Sequence, residues 1–344
     1  MNVNIKEIAK IAGVSVATVS RALNNKGPIR VTTRQRIVQL AQDLNYQPSS
    51  VARSLSKRTT DNIGLVLPNI ADELFSQIVR GIDTELHLAH KYLTVASLHS
   101  GRHPLDTISD LLNSGRVDGL IVMVSRQQQE AARLIQKATC PVVFINQPYR
   151  LNEGVSFNID NYQGAFNVTE HLITGHGFKS ISMLGGPEDN SEAEERLRGF
   201  KAALTKHNLE IQPGLIVPGD FTIKSGYYGF IRLMSQSEKP AAIFAANDLI
   251  AVGAYEAARN SNLNIPRDVA IVGFEDLQVS RFVKPQLTTV HIPLVELGAS
   301  AVRYLLKMIK HEVDPSQSYN EQFSTGIVIG GSCGCYNYAT PTIL

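Results

Sequence analysis

Residues 5–23 read IKEIAKIAGVSVATVSRAL, and this stretch decides how the N-terminal part of the chain folds. Apolar residues recur at helical spacing as far as Ala12, and Gly13 then breaks the run. Ser15 is placed to cap a second helix, which turns Val19 inward. Ala9, Gly13 and Val19 fall four and six residues apart, as two crossing helices require. The spacing therefore predicts a helix-turn-helix.

A third amphipathic helix follows a polar loop at residues 24–28. Its apolar positions are Ile37, Leu40, Ala41 and Leu44. Three short helices in about 45 residues are typical of a small DNA-binding module. Residues 46–60 are polar and basic with few apolar anchors, and they indicate a linker.

Charge is distributed unevenly along the chain. The net charge of all 344 residues is only +2, but residues 1–60 hold ten Lys and Arg against two acidic residues. That segment therefore carries +8 and the remainder −6. A basic segment on an acidic body is the electrostatic pattern of a protein that binds a polyanion. The simpler alternative is a solvated basic tail.

The second helix offers a side suited to reading DNA. Arg21 can donate two hydrogen bonds to a guanine edge, while Val16 and Ala17 can touch a thymine methyl group. Short hydroxyls suited to phosphate contacts come from Ser15, Thr18 and Ser20. The alternative is a generic helical hairpin with a solvated Arg21.

From residue 62 onward, short Val- and Ile-rich runs alternate with amphipathic stretches, which predicts an α/β fold with parallel sheets. The predicted strands are Ile63–Leu67, Tyr92–Ala96, Leu120–Val124, Val142–Ile145, Val155–Ile159, Ile181–Leu184, Ala241–Ala245, Val269–Val272, Thr288–His291 and Phe323–Ile329. About ten strands exceed one small sheet, so two similar lobes are expected. Ligands of such folds bind where strand C-termini meet a crevice, here between the lobes.

The N-terminal segment resembles the headpiece of the lactose-repressor (LacI/GalR) family. The "AGVS-x-x-TVSR" core and the "LNYxP…ARSL" hinge are both present between residues 12 and 55. The resemblance implies base reading by the second helix and a hinge helix over 50–55 that forms on DNA, with Leu55 wedged into the minor groove. Without DNA the hinge is expected to be disordered. The predicted DNA-contacting set is Ser15, Val16, Ala17, Thr18, Ser20, Arg21, Asn24, Tyr46, Ser49, Ala52, Arg53 and Leu55.

Two positions depart from the family pattern. Ser49 replaces the usual Asn, which alters a backbone contact in the hinge. Arg30 stands where a capping Ser is usual, so the third helix is expected to begin at Thr32 or Thr33.

The resemblance extends to about residue 330 through segments such as "VDGLIV", "ERLRGF", "IFAANDLIAVGAYEAA" and "VAIVGFEDLQ". It implies a core similar to periplasmic sugar-binding proteins, with three strands crossing between the lobes. By motif position the effector contacts are predicted to be Phe75, Asp160, Arg196, Phe221, Asn247 and Glu275.

Each effector candidate has a plain structural alternative. Arg196 lies among acidic residues, so a solvated ion-pair surface competes with ligand binding through its planar fork. Asn247 follows a strand and can exchange hydrogen bonds with a ligand, while its neighbour Asp248 is expected to cap the following helix. Glu275 replaces the usual Asp of the family, which shifts the carboxylate by one methylene. Phe221 and Phe75 are placed to stack on a ligand ring, or else pack in the core.

Several classes of protein are excluded by missing features. There is no export signal, and no apolar run is long enough to cross a bilayer. Three cysteines make no disulfide framework, so a reducing, cytoplasmic location is predicted. The segment 330–334 matches G-x-S-x-G but lacks a following helix and later Asp and His residues. Cys333 and Cys335 lie two apart with no second Cys or His cluster, so no metal site is expected. No phosphate-binding or dinucleotide-binding motif appears either, and no cofactor is expected.

The sequence therefore predicts a transcription regulator rather than an enzyme. The predicted parts are a helix-turn-helix domain at 1–47, a hinge at 48–60 and an effector-binding and dimerisation domain at 61–340. Its lobes are expected at 61–160 with 291–322, and 161–290 with 323–340. The partners are a near-palindromic double-stranded operator, a second copy in a homodimer, and a sugar or a nucleoside or purine. A transport protein or an enzyme on the same lobes is the disfavoured alternative.

Overall fold

The structure is a computed structural model that divides into two compact units, Met1–Asp61 and Asn62–Leu344. Among the described residues, no helix combines the length and apolar character needed to cross a membrane. The residues that the structure describes are 3–46, 59–68, 70, 73–98, 104–124, 128–135, 138–146, 154–211, 213–314 and 317–335.

Within residues 3–46, the N-terminal unit forms three helices: α1 (Ile5–Ala12), α2 (Val16–Leu23) and α3 (Val31–Asp43). Gly13 ends α1 with a φ of 61°, a left-handed conformation that glycine adopts without strain. The three helices share a small core that includes Ile8, Val19 and Ile37, each fully buried. The predicted helix-turn-helix is confirmed.

The predicted start of the third helix is wrong by one or two residues. The helix begins at Val31, and Arg30 occupies the capping position without a side-chain hydrogen bond to the first turn. The helix therefore starts without the hydroxyl cap that would satisfy one of its free backbone N–H groups.

The first lobe of the second unit is built on a six-stranded parallel sheet in the order β11-β5-β4-β3-β1-β2. The strands are β1 (Asn62–Leu67), β2 (Tyr92–Ser97), β3 (Gly119–Val122), β4 (Val142–Ile145), β5 (Val155–Ile159) and β11 (Tyr319–Phe323). Helices Glu73–Leu88 and Leu294–Ile309 pack on one face, and Pro104–Asn113 and Gln128–Ile135 on the other. Burial on both faces explains why the inner strands β1, β3, β4 and β5 are largely apolar, whereas the edge strands β2 and β11 are more polar and more exposed.

The second lobe has a four-stranded parallel sheet in the order β7-β6-β8-β9. Its strands are β6 (Ile181–Leu184), β7 (Ile216–Val217), β8 (Ala242–Ala245) and β9 (Ala270–Val272). The accompanying helices are Asn161–Glu170, a π-helical turn His171–Gly175, Ser191–Lys206, Ile223–Met234 and Asp248–Asn260, with short 3₁₀ turns at Pro213–Leu215 and Gln278–Arg281. The predicted α/β class with parallel sheets is confirmed.

Within the described part of the second unit, the chain passes between the two lobes three times. It does so after β5, after β10 (Thr289–His291), and between β11 and β12 (Gly326–Val328). Strands β10 and β12 pair antiparallel, and the Asp160 amide donates to the Phe323 carbonyl over 3.0 Å. The single strand predicted over Phe323–Ile329 is therefore wrong: β11 closes the first sheet, and β12 pairs with β10.

Candidate functional site

The exposed side of α2 carries the predicted base readers. Val16, Ala17 and Arg21 are all exposed, whereas Val19 and Ala22 on the other side are buried. Ser15 caps the helix, since its hydroxyl accepts from the Thr18 amide at 3.1 Å. The first turn of α2 therefore presents free N–H groups and a positive dipole end, which suit a phosphate.

The remaining predicted DNA contacts divide into two groups. Asn24 is exposed and donates from its side chain to the Ser20 carbonyl at 2.8 Å, which ties these two polar residues to the end of α2. Tyr46 is half-buried and packs against the headpiece core. The hinge residues Ser49, Ala52, Arg53 and Leu55 lie outside the residues that the structure describes.

In the second unit, Arg196 is a buried cation rather than a surface one. Its side chain is 4% exposed, whereas that of Arg198, two residues along the same helix, is 56% exposed and pairs with Glu195. The solvated ion-pair surface that the sequence allowed therefore describes Arg198 and not Arg196.

Hydrogen bonds from three different elements fix the Arg196 guanidinium. Nε donates to Asn161 Oδ1 at 2.8 Å, and Nη1 donates to the Ala246 carbonyl at 2.6 Å and to Glu275 Oε1 at 3.0 Å. Gly199 allows this arrangement, because a Cβ there would lie 2.1 Å from the Tyr162 carbonyl. The close approach brings the helix of Arg196 against the helix that begins at Asn161.

Nη2 of Arg196 is left without a hydrogen-bond partner among the described residues, and it is not fully sealed from solvent. A guanidinium held by Nε and Nη1 is oriented in advance, so the free Nη2 group can donate to a ligand without reorganisation. This is the feature of the cluster that points to binding rather than to structure alone.

Aromatic rings enclose the same guanidinium. Its Cζ lies 4.0 Å from the centre of the buried Phe274 ring and 5.7 Å from the centre of the Phe221 ring. Such cation–π contacts add an attraction between the guanidinium and the rings that is larger in a buried site than in water. Phe221 is half-buried, and its ring packs directly on Gly186, where a Cβ would lie 2.4 Å from the ring.

The helix after β8 is capped by Asn247 and not, as the sequence suggested, by Asp248. Asn247 is the helix cap, because its Oδ1 accepts from the Ile250 amide at 2.9 Å, while its Nδ2 donates to the Phe221 carbonyl at 3.3 Å. Asp248 does not cap the helix. It is fully buried and accepts from the Leu277 amide and the Thr289 hydroxyl. Burial raises the pKa of Asp248 well above its ordinary range.

Glu275 is held in an uncommon backbone conformation. Its φ is 111°, a region that side chains rarely adopt, and its amide donates to the Val290 carbonyl at 2.7 Å. The bonds of Asp248 to Leu277 and Thr289 fix the chain on the other side. Strain of this kind persists where the surroundings determine the conformation, and it is common at binding sites.

Two polar residues of the cleft were not predicted from the sequence as ligand contacts. Glu192 is buried one helical turn before Arg196, and its Oε1 accepts from Asn146 Nδ2 in the first lobe at 3.3 Å. Its Oε2 has no hydrogen-bond partner among the described residues. Burial raises the pKa of Glu192, and the nearby charge of Arg196 opposes that shift. The four-residue spacing from Arg196 was the available signal.

The two remaining candidates lie apart from the hydrogen-bonded cluster. Asp160 caps the helix Asn161–Glu170 by accepting from the Gln163 amide at 2.9 Å. Phe75 is half-buried in the first lobe and packs against its core. Near it, Glu73 accepts from the Gln278 amide of the second lobe at 2.8 Å, so the lobes meet close to Phe75.

Comparisons with known proteins place this architecture in a family. Residues 4–49 match the model of bacterial regulatory proteins of the lacI family, and residues 169–333 match the periplasmic binding protein-like domain. Catabolite control protein A of Priestia megaterium is 34% identical over 92% of this chain and 96% of its own. The transcriptional repressor PurR of Haemophilus influenzae (strain PittEE) is 33% identical over 92% of this chain and 94% of its own.

The fold comparison agrees. A crystal structure of the Lac repressor dimer, bound to operator and the anti-inducer ONPF, superposes with a TM-score of 0.87 and 28% identity, covering 97% of this chain and 99% of that one. The chain belongs to the lacI family of bacterial regulatory proteins. It is a DNA-binding transcription regulator with a helix-turn-helix and a two-lobed effector-binding domain.

Proposed function

We propose that this protein is a dimeric repressor whose operator affinity is controlled by a neutral metabolite, a sugar or a nucleoside or purine, bound between the lobes. The proposed division of the chain is headpiece 1–47, hinge 48–60 and effector domain 61–340. The observation that carries the proposal is the buried Arg196 with its free Nη2, beside Phe221 and Asn247.

The charges of the cluster favour a neutral ligand. Arg196 is already paired with the Glu275 carboxylate at 3.0 Å, and Glu192 places a second carboxyl one helical turn away. A phosphorylated ligand would meet both acidic groups in a site with little water, where repulsion is weakly screened. Hydroxyl groups or ring nitrogens can instead accept from Nη2 and exchange hydrogen bonds with the carboxyls.

The geometry also suits control by lobe movement. The helix of Arg196 belongs to the second lobe. Two hydrogen bonds link it and its lobe to the first: Glu192 accepts from Asn146 Nδ2, and the Gln278 amide donates to Glu73. A ligand that changes these contacts shifts the equilibrium between lobe arrangements, and such coupling is typically worth about 1–3 kcal/mol.

No catalytic role is proposed for the G-x-S-x-G segment. Ser332 is fully buried, and its hydroxyl accepts from the Thr288 amide at 2.7 Å. A nucleophilic serine must instead be exposed at the end of a strand, before a helix. A cytoplasmic location follows from the proposed action on DNA.

The first experiment is thermal unfolding of the full chain against sugars, nucleosides and purine bases, with their phosphorylated forms as a second panel. At a ligand concentration about a hundredfold above Kd, binding adds about 2.7 kcal/mol and raises the midpoint by roughly 5 °C. A rise with a neutral compound supports the proposal. A rise with phosphorylated compounds alone contradicts it.

A further inference from the structure

Four metal-binding side chains meet at the end of the described chain. His171, His176, Cys333 and Cys335 each place one ligand atom so that all four lie within 4.8 Å of one another. The expectation that Cys333 and Cys335 lack histidine neighbours is therefore wrong. The histidines lie 159 and 164 residues before Cys335 in the sequence, and only the fold brings them to the cysteines.

The separations between the Cys335 sulfur and the two histidine nitrogens fit tetrahedral coordination. Zinc binds sulfur at about 2.3 Å and imidazole nitrogen at about 2.0–2.1 Å, so two such ligands at a tetrahedral angle lie roughly 3.5 Å apart. Cys335 Sγ lies 3.3 Å from His176 Nε2 and 3.6 Å from His171 Nε2. Two sulfurs and two nitrogens are also a common donor set for structural zinc.

The local backbone arranges the donors in pairs. His171 and His176 are five residues apart, a spacing that places side chains on different sides of an α-helix. The chain forms a π-helical turn at His171–Gly175, which brings such positions together, and π turns often mark functional sites. Between the cysteines, Gly334 has a φ of 102°, which turns the chain so that both sulfurs face the histidines.

Neighbouring groups support the ligands. The Thr288 hydroxyl donates to Cys333 Sγ at 3.1 Å, and the His176 ring stacks on Phe178 with centres 5.7 Å apart. Hydrogen bonds of this kind orient metal ligands and stabilise a thiolate. Cys333 is fully buried, so a site with no net charge is required there. Zn²⁺ with two thiolates and two neutral imidazoles meets that requirement.

We propose that this protein binds one structural Zn²⁺ through His171, His176, Cys333 and Cys335. Binding releases the two thiol protons to solvent and changes no oxidation state. His171 and His176 follow the first crossing between the lobes, after β5. Cys333 and Cys335 follow the third crossing, between β11 and β12, and the ion links these two parts of the chain. It thereby fixes both chain segments to the second lobe.

The test is the zinc content of the purified full chain, with Co²⁺ exchange as the second readout. Wild type is expected to hold one zinc per chain, and Co²⁺ to give the thiolate charge-transfer and d–d bands of a tetrahedral site. Cys335→Ser and His176→Gln should each lose the metal, while Cys140→Ser, at a cysteine outside the cluster, should keep it. Thr288→Val should weaken affinity by about 10–100-fold.

Zinc should also affect stability. With free Zn²⁺ about a thousandfold above Kd, the thermal midpoint of wild type is expected to lie roughly 8 °C or more above that of the chelated protein. Cys335→Ser should show no such difference. Three results would each overturn the proposal. They are wild type without bound zinc, metal retained in both ligand variants, and a disulfide between Cys333 and Cys335 in the protein purified under reducing conditions.

Discussion

Replacing Arg196 by Met tests whether the guanidinium is buried as the structure shows. The change keeps most of the side-chain volume, but it removes three hydrogen bonds, one of which forms the ion pair with the Glu275 carboxylate, a group that is 6% exposed. Breaking a buried ion pair by removing one partner costs about 3–5 kcal/mol. At about 2 °C per kcal/mol, the thermal midpoint should fall by roughly 6–10 °C.

Arg198 provides the matched control on the same helix. Its guanidinium pairs with Glu195, but its side chain is 56% exposed, so Arg198→Met should cost about 0–1 kcal/mol. The double variant Arg196→Met with Glu275→Gln removes both buried charges and should regain about 1–3 kcal/mol relative to the single variant.

The assay is denaturant unfolding of wild type and the three variants without ligand. A shift of the unfolding midpoint reports a change in stability when the dependence of the unfolding free energy on denaturant concentration stays the same. Equal costs for Arg196→Met and Arg198→Met would refute the reasoning, because both cations would then be solvated. Failure of the double variant to recover stability would show that the loss in Arg196→Met does not arise from its ion pair with Glu275.

Two further predictions concern DNA reading and the buried carboxyl. Arg21→Ala should reduce the preference for a selected operator over random DNA by about 1–3 kcal/mol, or roughly 5–150-fold, while thermal stability is retained. The preference is measured by competition binding. An unchanged preference would show that Arg21 is not a base reader. Burial raises the pKa of Glu192 above 4.5, so its contribution to stability is full below that pH and is lost as the pH rises through the raised pKa. Glu192→Gln should therefore match wild type near about pH 4 and exceed it in stability at neutral pH, and a variant less stable at neutral pH would contradict the sign.

The sequence predicted those parts of the fold that depend on local pattern. The headpiece helices follow from apolar periodicity, and most strands follow from short apolar runs, because the inner strands of both sheets are buried. β7 was missed, since two residues are too few to show a period. The split between β11 and β12 was missed because the run over residues 323–329 is continuous in sequence, while its two halves pair in different sheets.

The effector cluster shows the same limit. Arg196, Phe221, Asn247 and Glu275 could be proposed from motif position, and the structure brings these four together. The burial of Arg196 could not be predicted, because its partners Asn161, Ala246 and Glu275 come from three separate elements. The His and Cys cluster was missed for the same physical reason, since its pairs are joined only by tertiary folding.

The most direct test of the central claim is the affinity of the full chain for its operator with and without a cleft ligand. The operator is obtained by selection from random DNA, the ligand is the neutral compound that raises the thermal midpoint, and binding is followed by fluorescence anisotropy at fixed salt. We expect a near-palindromic operator and an affinity that the ligand changes by about 5–150-fold. A ligand that stabilises the protein but leaves operator affinity unchanged would contradict that claim.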